Sequence, residues 1–504
     1  MNRIQKIAKR GGLISLAILT LLAGILGWNC WRFPSQQIAL APLPKLKLDE
    51  AEVLSRFQGA IRIPTISISM ARMSEEGVHQ QFRHYIETTF PTLHSAPFLV
   101  RTGTEFGDAL NPSVLLEWPG QDPSLGGILV MSHSDVVPIE EDSLDQWSHA
   151  PFGGDVDESY IWGRGTLDCK HGLMAILEAL SLLAAEDFQP QRTIYFAMGH
   201  DEEILGREGN RKIAEWFRSR GRRIHSILDE GGCIFTEFPG LDRPAALIGV
   251  AEKGYLEAEV TVHIDSNQVG HASMPPGETA VSILATAIDR LQASPLPARI
   301  DGGLRDTIRF LGPEMPSLSS RIAMSNLWLC EPLVKHKLGA KPSGNALLRS
   351  TVAPTMIEAG VRSNVLPAYA KATLNIRLLP GDSIEGVLAH LRNAVKDERV
   401  EVVALPNARE ASPVSSSDAE AFELIQKSAV EVFPDVVVAP FVLVGATDTV
   451  HYTDLCQNIY RFIPTRLSER DTKRFHGIDE RIGRENYFDI VRFFHRYLST
   501  AATK

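Results

Sequence analysis

The sequence predicts an α/β protein: an α/β/α domain on a mixed, largely parallel sheet, interrupted by a smaller inserted α+β domain and preceded by a transmembrane helix. Three observations predict it. From about residue 50 to 250 short apolar runs alternate with amphipathic stretches, the pattern of strands covered by helices. That pattern gives way to strict two-residue alternation and then returns near the C-terminus. An uncharged apolar stretch stands ahead of everything else.

That stretch is GGLISLAILTLLAGILGW, residues 11–28, with Lys6, Lys9 and Arg10 before it and Arg32 as the next charge. Its length suffices to cross a hydrocarbon core of roughly 30 Å. The positive flank predicts a cytoplasmic N-terminus and a body on the exported side, a single-pass membrane protein. A cleaved signal peptide, leaving a secreted body, is the competing reading, although no clear small-x-small site follows the run. Residues 1–32 are therefore expected to form tail and anchor, and 33–48 a Pro-containing tether.

In the block 49–251, SVLLEW, GILVM, TIYFAM and HSILD read as strands. Between them, DCKHGLMAILEALSLLAAE places Leu173, Ile176, Leu177, Leu180 and Leu183 on one helical face. Across 252–408 the alternation of Leu256, Ala258, Val260, Val262 and Ile264, and of Ala372, Leu374, Ile376 and Leu378, predicts strands of a sheet with one solvated face. From 409 to 504, VVVAPFVLVGATDTVHY and NYFDIVRFFHRYL return to the first style, so the smaller domain is expected to be an insertion.

Composition narrows the classes. Apolar content of 44% with 22% charged residues is that of a folded globular body. The net charge of −10 comes without a basic stripe, which argues against nucleic-acid binding. The five cysteines, at 30, 169, 233, 330 and 456, include no CxxC pair, so neither a disulfide scaffold nor a cysteine-based zinc site is expected.

Ligands of a mostly parallel sheet gather outside the carboxyl ends of its strands. After GILVM come His133 and Asp135, after YIWGRGT comes Asp168, after TIYFAM come Asp201, Glu202 and Glu203, and after SIL comes Asp229. Each has a plain structural explanation alone: Asp168 as a helix N-cap, Glu202 and Glu203 as favourable charges at a helix start, Asp229 in a turn. Together they read as one site. Carboxylates brought close repel unless a cation joins them, and a pair of divalent metals supplies that charge. Histidine and carboxylate donors without thiolate suit zinc, with cobalt or manganese as substitutes. One carboxylate then bridges the metals and a glutamate that does not ligate takes the proton from water, tasks that adjacent Glu202 and Glu203 can divide.

HSDVVP, QWSHAPFGGDVDESYIWGRGTLDCK, DEE, LDEGG, GHASMPP and HGIDERI resemble the co-catalytic zinc metallopeptidases that include carboxypeptidase S, aminoacylase and bacterial glutamate carboxypeptidase. The resemblance runs from about residue 50 to the C-terminus, and GATDTVHY and NIYRFIP bring it nearest to carboxypeptidase S and the secreted enzymes that hydrolyse or form N-acyl amino acids. It implies His133 and Asp229 as ligands of one zinc, Glu203 and His476 as ligands of the other, and Asp168 as the bridge. It implies Glu202 as general base and Asp135 as the carboxylate that orients His133. In the inserted lid or dimerisation domain it implies His271 as oxyanion stabiliser, with Asn364 and Arg377 holding substrate; Gly445 would line the pocket. Thr447 and Asp448 contact substrate or shape the turn.

The implied reaction is hydrolysis of an amide next to a free carboxylate, on short peptides in the manner of a carboxypeptidase or on N-acyl amino acids, the latter in either direction. A membrane-anchored binding module without catalysis is the rival class, weakened by the presence of every ligand. The inserted domain is expected to serve either a homodimer or as a lid within one chain.

Overall fold

The computed structural model describes residues 3–69, 72–73, 77–265 and 269–503, without the side chains of 3–11 and 72–73. Lys6, Lys9 and Arg10, on which the inside-positive reading rests, therefore lie outside the described side chains.

The central sheet runs, edge to edge, through Arg466–Leu467, Ile234–Phe235, Ala245–Glu252, Ile459–Arg461, Ile224–Asp229, Gly127–His133, Ile194–Gly199, Val114–Trp118 and Leu99–Thr102, with Val437–Leu443 also paired to Ala245–Glu252. Its middle is parallel: Gly127–His133 lies between Ile194–Gly199 and Ile224–Asp229, and Ile459–Arg461 extends the same direction. The outer strands Val114–Trp118 and Leu99–Thr102 are antiparallel, so the sheet is mixed and largely parallel as expected.

Strand residues alternate between two apolar layers. Ile128, Val130, Ile194, Phe196 and Met198 enter one core, whereas Leu129, Met131, Tyr195 and Ala197 enter another with Ile213 and Phe217 of the helix Asn210–Arg220. Strand side chains point to opposite faces with period two, and helices on both faces make the α/β/α sandwich. On the first face the helix Lys170–Ala185 packs against Arg484–Ala501 and Glu50–Ile61. It is therefore buried nearly all round at its start, Met174, Ala175 and Ala179 included, and not only on the predicted Leu173–Leu183 stripe. Lys170 stitches this layer together, its Nζ donating to the carbonyls of Ala60 and Ile63 at 3.0 and 2.6 Å.

A second, four-stranded antiparallel sheet runs in the order Thr351–Ala359, Tyr369–Leu378, Gly254–His263, Val400–Ala404. Leu256, Ala258, Val260 and Val262 face Ala372, Leu374 and Ile376 in one buried layer under the helices Ala280–Ala293 and Ile384–Val395. Between the strands Gly254–His263 and Thr351–Ala359, after Ala280–Ala293, the chain forms the helices Gly302–Leu311, Leu318–Ser325, Leu327–Gly339 and Pro342–Leu348. Phe310 and Leu311 of the first of these join the core of the main body.

The N-terminal helix spans Arg3–Trp31. Its part Gly12–Trp31 is long and apolar enough to cross a membrane, with mean hydropathy 2.0, and none of that stretch is buried. The following segment has no regular structure but is fastened along the body. Gln37 exchanges two hydrogen bonds with Val438, Leu43 N–H donates to the Glu431 carbonyl, and Arg492 donates to the Leu46 carbonyl.

Candidate metal centre

Three parallel strands end at one edge. His133 is in register with Gly199, and the Leu228 pairing with Val130 carries Asp229 to the same end. Beyond Gly199 the chain makes a short 3-10 turn, Glu202–Ile204, whose first two amides are capped by a carboxylate from the neighbouring strand: Glu202 N–H and Glu203 N–H donate to Asp135 Oδ1 and Oδ2, each at 3.1 Å. Asp135 Oδ1 also lies 3.3 Å from His133 Nδ1. His133 Nδ1 is closer still to the Asp135 backbone carbonyl, at 2.9 Å, so one buried residue holds the imidazole through its carbonyl and carboxylate and both glutamate amides through its carboxylate.

Asp168 arrives differently. The strand Tyr160–Trp162 that precedes it pairs antiparallel with Arg481–Gly483 in a two-stranded ribbon outside the central sheet, so the expectation that Asp168 follows a strand of the parallel sheet is corrected. It is presented by the loop 163–168, in which Gly163 and Gly165 adopt positive φ, at +143° and +91°. Glu480, fully buried, accepts from the amides of Gly165, Leu167 and Asp168 at 2.9, 2.7 and 3.2 Å and pairs with Arg164 Nη1 at 2.6 Å. Arg164 Nη2 donates in turn to the carbonyl of His476, a residue held at φ +56°. Left-handed backbone at a non-glycine residue costs on the order of 1 kcal/mol and persists where surroundings enforce it. The Asp168 side chain caps no helix: the N-cap of Lys170–Ala185 is Cys169, without a side-chain cap.

The Asp168 carboxylate lies between two histidines. Its Oδ1 is 3.1 Å from His133 Nε2 and its Oδ2 is 2.9 Å from His476 Nε2. Glu203 Oε2 approaches His476 Nε2 at 3.3 Å. On the other side Glu230 Oε1 lies 3.1 Å from His133 Nε2. Glu230 was not singled out from the sequence, since two adjacent acidic residues at a strand end give no sign of which one turns inward. Asp229 is buried with its Oδ2 unpartnered among the described residues.

The electrostatics are those of crowded anions. Burial, then the Glu230 charge, pushes Asp229 up to about 7. Burial and the Asp168 charge do the same to Glu203, up to about 7, and burial raises Glu202 well above the carboxylate range. Hydrogen bonds that the His476 imidazole donates to the Asp168 and Glu203 carboxylates push His476 up to about 10. Burial would lower His133, but Glu230, Asp135 and Asp168 together hold it well above its usual value. The folded chain is thus short of positive charge here.

A divalent metal fits that deficit. Donor atoms of His133, Asp168 and Glu203 lie within 4.8 Å of one another, and Glu203 Oε1 and Asp229 Oδ2 are buried oxygens without hydrogen-bond partners among the described residues. Cys169 also lies by His133 and Glu230, but burial pushes its thiol well up and its Sγ shares a hydrogen bond with Ser132. It packs as a thiol, leaving a nitrogen and oxygen donor set.

The remaining expected residues belong to other elements. His271 and Asn364 are neighbours on the second sheet's side, where His271 bridges to Val365 and Ala272 N–H donates to the Asn364 carbonyl. The exposed His271 imidazole accepts from Ser273 N–H through Nδ1. Arg377 lies over the Tyr255 ring at 4.9 Å. Gly445 sits in the turn after Val437–Leu443, with open space where a Cβ would stand. No hydrogen bond or ion pair among the described residues joins these four to the metal cluster.

Comparison with known proteins places the chain in a family. The chain is 39% identical over 503 residues to probable carboxypeptidase S-like 2 of Dictyostelium discoideum, covering 96% of this chain and 94% of that protein. It is 37% identical to the N-fatty-acyl-amino acid synthase/hydrolase PM20D1 of Mus musculus, covering 90% and 89%. Among solved structures, an M20 family metallo-carboxypeptidase from Sulfolobus solfataricus matches at TM-score 0.63 and 18% identity over 90% of this chain and 100% of that one. A dinuclear metal binding peptidase from Bacillus subtilis matches at 0.54 and 15%, over 90% and 99%. The model of peptidase family M20/M25/M40 matches residues 129–500, from the strand that ends in His133 to the last turn of the C-terminal helix, and the chain belongs to that family.

Proposed function

We propose that this protein hydrolyses an amide bond adjacent to a free carboxylate, releasing the C-terminal amino acid of short peptides. The observation that carries the reading is the Asp168 carboxylate held between His133 and His476, with Glu203 and the Asp229–Glu230 pair beside it. Two zinc ions are the proposed occupants, one on His133 and Asp229, one on His476 and Glu203, with Asp168 shared. When bound, zinc supplies Lewis acidity that lets water ionise near neutral pH and polarises the scissile carbonyl.

The chain's own groups then divide the work. Glu202 accepts the proton as the water oxygen bonds to the acyl carbon, and returns it to the amine nitrogen as the C–N bond breaks. Asp135 keeps Glu202, Glu203 and His133 in their places through the contacts of its carboxylate and backbone carbonyl described above. His271 is the proposed donor to the developing oxyanion, which requires the two sheets' sides to approach. Arg377 suits the substrate carboxylate through its planar fork, with Asn364 beside it.

A second reading is N-fatty-acyl amino acid hydrolysis or synthesis. The apolar Gly12–Trp31 helix, none of it buried, and the mouse relative favour it. In either case the helix is the proposed anchor, with the body on the exported side. Assaying a blocked dipeptide beside an N-fatty-acyl amino acid separates the two. Glu202→Gln should lose turnover by roughly 10²–10⁴-fold while retaining zinc; near wild-type turnover in the metal-loaded variant would exclude this mechanism.

A further inference from the structure

The helix Leu327–Gly339 presents an outward stripe with a four-residue repeat: Trp328 and Leu329, Pro332 and Leu333, His336 and Lys337. Trp328, Leu329 and Leu333 are 63%, 44% and 51% exposed, whereas Val334 on the opposite side is buried with Ile308 and Leu348. Leu318, at the start of the preceding helix, is 57% exposed. The stripe is apolar over its first two turns and basic at its end, a division that suits a helix lying at a lipid–water boundary.

Its neighbour supplies the second observation. The helix Leu318–Ser325 packs against the N-terminal helix, and Asn326, fully buried at the junction, holds the two structures together. Asn326 Oδ1 accepts from both Asn29 Nδ2 and Trp328 Nε1, at 2.8 and 3.2 Å, while its Nδ2 donates to the Leu26 carbonyl at 3.2 Å. One side chain therefore sets Trp328 at the level where the apolar helix ends. Trp28 and Trp31 are exposed at that same level, and indoles concentrate at membrane interfaces because one end is apolar and the other polar.

We propose that Leu327–Gly339 is a membrane-contact surface, resting on the outer face of the bilayer that Gly12–Trp31 crosses. The inference rests on the anchor reading of the N-terminal helix. The partner is a phospholipid surface, and contact at two places fixes the orientation of the body where a single span would leave it free to swivel.

The test uses the full chain reconstituted in phosphatidylcholine vesicles with a minor fraction of phosphatidylglycerol and a diazirine-bearing phospholipid. After photolysis, lipid adducts are mapped by peptide mass spectrometry. Adducts in both 12–31 and 327–339 are expected. Adducts in 12–31 alone would overturn the contact surface and leave the anchor standing; adducts in 327–339 alone would support the surface and overturn the anchor; adducts in neither would overturn both. Cross-links joining 327–339 of two copies, in place of lipid adducts, would assign the stripe to self-association and overturn the proposal. In the Leu329→Glu, Leu333→Glu double variant, adducts at 327–339 should fall by about 10-fold, with 12–31 adducts and hydrolysis of a soluble substrate unchanged. An unchanged yield at 327–339 would also overturn it.

Discussion

Replacing Glu480 by glutamine should weaken metal binding without touching a metal ligand. The carboxylate accepts from three amides of the loop that presents Asp168 and pairs with Arg164, itself 3% exposed. Glutamine keeps an acceptor for the amides but leaves a buried guanidinium without its counter-charge, which costs about 3–5 kcal/mol of stability. The same change loosens both bridging partners, because Arg164 also holds the His476 carbonyl. Groups that orient ligands typically account for roughly 10–100-fold in metal affinity, about 1.4–2.8 kcal/mol. The assay is calorimetric titration of metal-free protein with zinc, run beside thermal unfolding. Adding Arg164→Met to Glu480→Gln should restore part of the stability, since the stranded charge is then gone. A Glu480→Gln protein that binds zinc like the wild type and melts with it would show that the loop holds Asp168 by its backbone alone, and the reasoning would fail.

Further outcomes follow from the site and its surroundings. Asp229→Asn should reduce zinc from two ions to one per chain, and Glu230→Gln should keep both, because Asp229 has the unpartnered buried oxygen; elemental analysis of the two variants distinguishes them. Chelation should lower the thermal midpoint, and restoring zinc to 1,000 times its Kd should return about 4 kcal/mol, read by scanning calorimetry. Lys253, whose Nζ donates to the Ala346 and Arg349 carbonyls, is lowered by burial, and then by Arg377, to about 8. Its folded value lies below the unfolded one, so the folded chain releases the proton first and stability rises with pH between about 8 and 10.5. Wild type should gain on Lys253→Met over that window, by at most about 3 kcal/mol, and a gap that stays constant from pH 7 to 10 would contradict this.

The strand ends were legible because hydrophobic runs and register are local properties. GILVM, TIYFAM and HSILD each declare a strand, and parallel pairing brings His133, Glu202, Glu203 and Asp229 to one edge. The same logic misplaced the strand before Asp168: YIW has strand composition, but its partner Arg481–Gly483 lies more than 300 residues away. His476 entered only through family resemblance, since a histidine in a polar loop carries no local sign of its partner. Glu480 passed unnoticed for the same reason; its burial is created by Arg164 and three amides that the local sequence HGIDERI does not show. The segment 33–48 reads as a tether from its prolines, whereas its attachment depends on Val438, Glu431 and Arg492, contacts made from the other end of the chain.

The long separation between Asp168 and His476 has a consequence during synthesis. At roughly 5–20 residues per second, tens of seconds pass between emergence of the first imidazole and of the last one. Until then Asp168 has neither the second histidine nor the Glu480 clamp, and the nascent polypeptide has no complete centre with which to attack peptides around it. Any proteolytic clip that removes the final thirty residues would return the enzyme to that inert condition.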